Sequence, residues 1–264
     1  MNEFELIARY FTRPSRERQG VGDDCALIDV GDRTIAITCD MLIEQRHFFS
    51  DVDPESLGHK ALAVNLSDLA AAGATPRCFL LALALPRADG GWLAAFSGGM
   101  FALAEQFGCE LVGGDTTRAP DWRQTAGPLT ICITAIGESA PGQTLARAGA
   151  CPGDDLWVSG TLGDAALALA LVAGGASAEP ADREATMARL ERPTPRVRLG
   201  ERLRGLATAA IDVSDGLLGD LAHIGERSRV GASLRWVDIP LSAALRRQPA
   251  PLQQRCALAG GDDY

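Results

Sequence analysis

Leu57-Gly58-His59-Lys60-Ala61-Leu62-Ala63-Val64-Asn65-Leu66-Ser67-Asp68-Leu69-Ala70-Ala71-Ala72 is the stretch that decides the fold class. Its apolar residues recur at helical spacing, with Asp53-Pro54-Glu55 as a start signal and Gly73 as a stop. On either side lie short β-rich runs. Residues 25–30 and 34–38 read as two strands joined at Gly31-Asp32, a hairpin. Downstream, residues 77–85 read as a buried strand and 91–107 as a helix. A strand over 110–112 then ends in Gly113-Gly114-Asp115, and residues 129–136 alternate as a further strand. Strand and helix therefore alternate, and the class is α/β of the α+β type.

The Gly-, Ala- and Pro-rich stretch 137–153 reads as a boundary. It divides the chain into an N-terminal domain, 1–138, and a C-terminal α/β domain, 139–264. In the second half, strands are expected over 155–159, 208–213 and 233–237, and helices over 162–173, 196–206 and 216–228. The sequence closes on Gly260-Gly261-Asp262-Asp263-Tyr264. Paired acids behind two glycines read as a working loop, so a chain truncated at its C-terminal side is expected.

Composition narrows the function. In 264 residues, Lys plus Arg number 25 against 34 Asp plus Glu, a formal charge of −9. Such a chain is a poor general binder of nucleic acid, which is held mainly by neutralising phosphates with basic side chains. Lys60 is the only lysine, and no G-x-x-x-x-G-K-[ST] loop exists. Gly20-Val21-Gly22 lacks the third glycine of a dinucleotide fingerprint. Protein-kinase signatures are missing as well. The seven cysteines are scattered without a C-x-x-C pair, which argues against zinc ribbons and disulfide frameworks and for a reducing compartment. The first residues are acidic where a signal peptide is basic, and the apolar runs are too short for a bilayer. A cytoplasmic protein with no membrane partner is expected.

Acids gather where strands or helices meet glycine-rich turns: Asp23-Asp24, Asp40, Asp68, Asp115, Asp212 with Asp215, and Asp262-Asp263. Each one taken alone reads as a turn or cap residue. Asp68 is different, because it interrupts an apolar helical pattern where a charge is costly unless paired or ligating. Asp40 and Asp212 follow β-rich runs, the usual site position in α/β sheets. Carboxylates converging from several such ends bind hard divalent cations, which would let an acidic protein hold a nucleotide. His59 and His223 sit in helical patterns and read as structural.

Five motifs in order carry a family resemblance: Gly20-Val21-Gly22-Asp23-Asp24-Cys25-Ala26, Thr38-Cys39-Asp40, residues 60–71, Gly113-Gly114-Asp115-Thr116-Thr117 and Ile211-Asp212-Val213-Ser214-Asp215-Gly216. Together they closely resemble the thiamine-monophosphate kinases, in the superfamily of aminoimidazole-ribonucleotide and selenophosphate synthetases. The resemblance implies that Asp24, Thr38, Asp40, Asp68, Asp115, Asp212 and Asp215 hold several Mg²⁺ ions around the ATP phosphates. It places Gly114, Asp115, Arg147 and Ser214 against ATP, and His47 and Asp262 against thiamine monophosphate. Two positions depart from the family. Cys39 stands where a hydroxyl residue is common, so only its backbone carbonyl suits Mg²⁺. Asp262 stands for the usual Glu, one methylene shorter.

The implied reaction joins ATP and thiamine monophosphate to give thiamine diphosphate and ADP. The resemblance also implies a homodimer in which N-terminal mixed sheets pair into a β-barrel, with a C-terminal α/β domain packed on each. Two alternatives stand beside it: an aminoimidazole-ribonucleotide synthetase-like enzyme, and a catalytically silent nucleotide- or metal-binding protein. Selenophosphate synthetase is disfavoured, because no lysine precedes Lys60.

Overall fold

The computed structural model describes residues 3–14, 19–119, 121–122 and 125–264. After a short helical segment at Glu3–Leu6 and Ile7–Phe11, the chain forms the hairpin β1 (Ala26–Val30) and β2 (Arg33–Ile43). It continues through α1 (Pro54–Ala71), β3 (Thr75–Leu85), α2 (Gly90–Phe107), β4 (Glu110–Arg118) and β5 (Thr130–Ser139). The second half contributes α3 (Asp164–Val172), α4 (Pro180–Glu191), α5 (Val197–Leu203), α6 (Leu217–Ser228) and α7 (Ala250–Ala259).

The main sheet is mixed and open, in the order β1-β2-β5-β3-β4. Its ladders are antiparallel except β3 with β4, which run parallel around the α2 crossover. Alternation along β2 and β5 sends one set of side chains inward, among them Ala36, Leu42, Ile131, Ile133 and Ala135. The other set, including Met41 of β2, stays on the outer surface, as does Leu80 of β3.

Helix α1 begins as its sequence requires. Asp53 accepts a hydrogen bond from the Ser56 amide at 2.8 Å, and Pro54 occupies the first turn, where its missing N–H costs nothing. Gly73 ends the turn in a left-handed conformation, φ 64°. Of its 18 residues, 14 are buried, because sheet, α2 and α5 all press on it. The close approaches fall at glycines. A Cβ on Gly58 would lie 1.9 Å from the Phe96 carbonyl oxygen, and one on Gly99 1.9 Å from that of Glu55. One apolar cluster fills the space between sheet, α1 and α2, including Leu62, Leu66, Leu69, Phe79, Phe96 and Met100. A second gathers in the later half around Leu162, Leu167, Leu245 and Cys256.

Three expectations are corrected. Residues 110–118 form one continuous strand, so Gly113-Gly114-Asp115 lies inside β4. A register shift near Phe79/Leu80 leaves Val112 out of the ladder and lets the glycines continue it. The segments 155–159, 208–213 and 233–237 form no strand, and among the described residues none follows β5. Their apolar content misled the reading: Trp157 is 89% exposed and Val237 82%, and a β-rich run without a ladder partner leaves its backbone to water. Helices α4 and α7 lie outside the expected elements, since neither carries a sharp apolar stripe. No described helix is long and apolar enough to cross a membrane.

The contacts at Gly58 yield a stability test. Gly58→Ala should lower unfolding free energy by about 1–3 kcal/mol, since the methyl group must push α1 from α2. Gly98→Ala, with nothing within 4 Å of its new Cβ, should be neutral or stabilising by up to about 1 kcal/mol. Urea unfolding of both variants checks this, and equal losses would contradict the packing argument.

Candidate metal and phosphate site

Three carboxylates meet from three separate places in the chain. One oxygen each from Asp24, Asp68 and Asp212 lies within 4.8 Å of the other two. Asp24 comes from the loop before β1, Asp68 from the last turn of α1, and Asp212 from the extended run before α6. Asp24 is buried and the other two are half-buried.

Local chemistry fixes each arm. Before β1, the Asp23 carboxylate accepts the amides of Asp24 and Arg147, at 3.1 Å for Asp24, which turns the Asp24 side chain toward the cluster. The Cys25 thiol donates to the Asp68 carbonyl at 3.5 Å, tying this loop to α1. Thr38, on β2, donates its hydroxyl to Oδ2 of Asp68 in a short hydrogen bond. Asn65 accepts the Asp40 amide at 3.3 Å, and the Asp40 carboxyl rests against that of Asp68. Ser67 donates to Oδ2 of Asp212 at 2.8 Å, joining α1 to the second half. Asp220 caps the turn into α6, accepting the amides of Asp215 and Gly216.

Arg147 is the cation of the cluster. Its Nε and Nη2 donate to Oδ1 of Asp24 at 3.2 and 2.5 Å. Its own backbone is held by the Ser228 hydroxyl, which donates to the Arg147 carbonyl at 3.1 Å. Gly149 crosses so near the 208–213 run that a Cβ would lie 2.3 Å from the Thr208 carbonyl oxygen.

Electrostatics follow from this crowding. Burial pushes the Asp24 carboxyl up to about 6 against the pull of Arg147, and pushes Asp212 up to about 8, with Asp24 adding repulsion. Asp68 is raised well above the usual carboxylate range by burial, then by Asp212, Asp40 and Asp24. Asp40 rises through burial as well. Burial and crowding thus favour the protonated forms of these carboxyls, and a bound cation would compete with those protons.

The structure thus brings together Asp24, Thr38, Asp40, Asp68, Asp212 and Arg147 from the residues singled out in the sequence. Cys39 lies between Thr38 and Asp40 on β2, and its thiol faces away from them, 3.5 Å from that of Cys132. Gly114 and Asp115 are exposed on edge strand β4, where Gly114 comes so near β3 that a Cβ would meet the Leu81 carbonyl oxygen at 1.8 Å. His47 is exposed in the turn after β2, and its Nδ1 accepts the Ile43 amide at 2.9 Å. Asp215 is exposed, and the Ser214 carbonyl accepts the Asp262 amide at 2.9 Å. Asp262 itself pairs with Lys60 at 3.3 Å. Sequence reasoning missed Asn65 and Ser67 as site residues; both are polar interruptions of the same apolar helix that flagged Asp68. His59 is structural as read, its ring bonded to the Pro193 carbonyl at 2.8 Å.

Comparison with known proteins identifies the family. Residues 22–139 match the family described as AIR synthase related protein, N-terminal domain. Thiamine-monophosphate kinase of Escherichia coli K12 is 45% identical over 269 residues, covering 99% of this chain and 80% of that protein. The crystal structure of thiamine-monophosphate kinase from Stenotrophomonas maltophilia K279a is 49% identical, with TM-score 0.83, covering 93% of this chain and 78% of that one. The structure of AaThiL complexed with AMPPCP and TMP is 33% identical, also with TM-score 0.83, covering 92% and 77%. With this identity over nearly its whole length, and three carboxylates converging where the motifs place them, the chain belongs to the thiamine-monophosphate kinase family.

Proposed function

We propose that this chain phosphorylates thiamine monophosphate with ATP, giving thiamine diphosphate and ADP by direct in-line transfer. The observation that carries the reading is the convergence of Asp24, Asp68 and Asp212 in a chain of this family. The complex of AaThiL with AMPPCP and TMP supports ATP and thiamine monophosphate as the substrates.

A hard divalent cation fits the residues present. Oδ2 of Asp24 and Oδ2 of Asp40 are buried without a hydrogen-bond partner, and every side-chain donor atom offered at the cluster is oxygen. Asp24, Thr38, Asp40, Asp68, Asp115, Asp212 and Asp215 would hold Mg²⁺, with Cys39 offering only its carbonyl. When bound, Mg²⁺ supplies charge neutralisation to the phosphates and holds donor and acceptor in line.

The chain's own residues do the rest by positioning. Ser67 and Thr38 donate to Asp212 and Asp68 and so fix which carboxylate oxygens remain free. Gly114 and Asp115 face the nucleotide from β4 with Ser214, while Arg147 exchanges part of its contact with Asp24 for the ATP phosphates. His47 and Asp262 face the acceptor. Its attacking phosphate oxygen is ionised near neutral pH, so no side chain needs to remove a proton.

The same reading covers the assembly. We assign 1–138 to an N-terminal domain and 139–264 to a C-terminal one, because one large apolar cluster is drawn from the first half apart from Val197 and another from the second. The partly apolar outer face of the open sheet, with Met41 and Leu80 exposed, supports pairing of two copies into a β-barrel dimer. A cytoplasmic location accords with the free cysteines.

Phosphate transfer to thiamine monophosphate, set against a panel of other phosphorylated acceptors, tests the function. Asp212→Asn should reduce turnover at least ~100-fold while leaving circular dichroism unchanged, because it removes charge and conserves volume. Near-normal turnover in that variant would make Asp212 a turn residue only.

Burial also sets a pH signature. Asp24, Asp40, Asp68 and Asp212 hold protons more tightly folded than unfolded, so their contribution is present at low pH and lost as pH rises, through about 6 for Asp24 and about 8 for Asp212. Burial lowers the His59 pKa, which works in the opposite sense below its ordinary 6.5, leaving 6.5–8 as the clean window. Across that window the metal-free protein should lose about 5 °C of melting temperature, and millimolar Mg²⁺ should reverse the loss. Differential scanning calorimetry in EDTA and in Mg²⁺ checks it; a metal-free protein that gains stability across the window would contradict the cluster.

A further inference from the structure

Lys60 has no part in the site as described, yet it is the chain's only lysine and its side chain is just 5% exposed. An ammonium that deep in α1 is costly unless it is paired. Its partner is Asp262, with Nζ 3.3 Å from Oδ2.

Asp262 is itself constrained. Its φ of 62° is left-handed, a conformation that non-glycine residues adopt at a cost. The Asp262 and Asp263 amides donate to the carbonyls of Ser214 and Val213 at 2.9 and 3.1 Å. Asp263 accepts the Gly163 amide at 2.6 Å. Gly261 crosses so near that a Cβ would lie 2.2 Å from the Ser214 carbonyl oxygen. The segment 260–264 therefore lies beside the run that carries Asp212, and Lys60 is the side chain that ties it to α1. Seven residues on, two helical turns along the same stripe, Ser67 ties Asp212 to the same helix.

We propose that Lys60 is a positioning residue for the acceptor: its ion pair holds the Asp262 carboxylate and the left-handed turn of 260–264 in the arrangement that receives thiamine monophosphate. This rests on the reading that Asp262 faces the acceptor. The Asp262 side chain is 29% exposed, so without Lys60 its carboxylate turns to water and the turn relaxes. The nucleotide, held from β4 and Arg147, does not depend on that pair.

Steady-state kinetics with both substrates separate this role from a general structural one. Lys60→Met should raise KM for thiamine monophosphate at least ~10-fold while KM for ATP stays within about 2-fold, and Lys60→Arg should recover most of the loss. A single lysine also means that ε-¹⁵N-lysine labelling gives one Nζ resonance in the unmutated protein. That resonance should shift on adding thiamine monophosphate and stay nearly unmoved with AMPPCP. Equal rises in both KM values, no rise in either, no recovery with Arg, or a resonance silent to thiamine monophosphate would each overturn the proposal. Unmutated protein that fails to phosphorylate thiamine monophosphate would sink the kinase reading itself. Active protein whose Lys60→Met variant keeps its KM would sink this proposal alone.

Discussion

Like charges forced together in a partly buried place are the constraint around which this molecule is arranged. Oxygens of Asp24, Asp68 and Asp212 lie within 4.8 Å of one another, close enough for strong repulsion wherever water is scarce. Each surrounding contact offsets part of it. Arg147 neutralises Asp24, while Ser67 and Thr38 spread the charge of Asp212 and Asp68 into hydrogen bonds. The carboxyls of Asp212 and Asp68 nonetheless stay raised, by burial first and by their acidic neighbours second. A carboxylate cluster of this kind is unfavourable on its own, and a divalent cation would relieve it.

Helix α1 makes the arrangement possible. It is buried on nearly every side, with glycines at Gly58 and Gly99 letting α2 approach backbone to backbone. On the opposite flank, a Cβ at Gly200 of α5 would lie 2.0 Å from the Ala70 carbonyl oxygen, so the second half also seats directly on the helix. A rod held this rigidly can project Lys60, Asn65, Ser67 and Asp68 toward groups from both halves of the chain. Precision at the carboxylates is thus a product of core packing, and the polar residues of α1 stay fixed because the apolar ones around them cannot move.

How much of this could be read in advance depended on the kind of signal. The hairpin at Gly31-Asp32, α1 and α2 were legible because local periodicity, caps and turn glycines all agree there. Asp68 stood out because a charge within an apolar helix needs a reason. The second half was harder to read. Residues 155–159, 208–213 and 233–237 have the β-rich composition of strands, but strand formation needs a ladder partner, which composition does not reveal. Arg147 was legible only as a family position; its ion pair with Asp24 spans 123 residues of sequence and depends on the tertiary fold. Lys60 stands out in the sequence for its rarity and as the first residue of the motif 60–71. Its partner, 202 residues away, is a fact of packing alone.

The acidity of the whole chain completes the account, since a protein of net charge −9 repels ATP unless cations intervene. Calorimetric titration of ATP into the protein, once with excess Mg²⁺ and once with EDTA, puts that dependence to the most direct test. Binding with Mg²⁺ and at least ~100-fold weaker affinity in EDTA is the result expected of carboxylates that hold phosphate through a cation. Equal affinity under both conditions would contradict it.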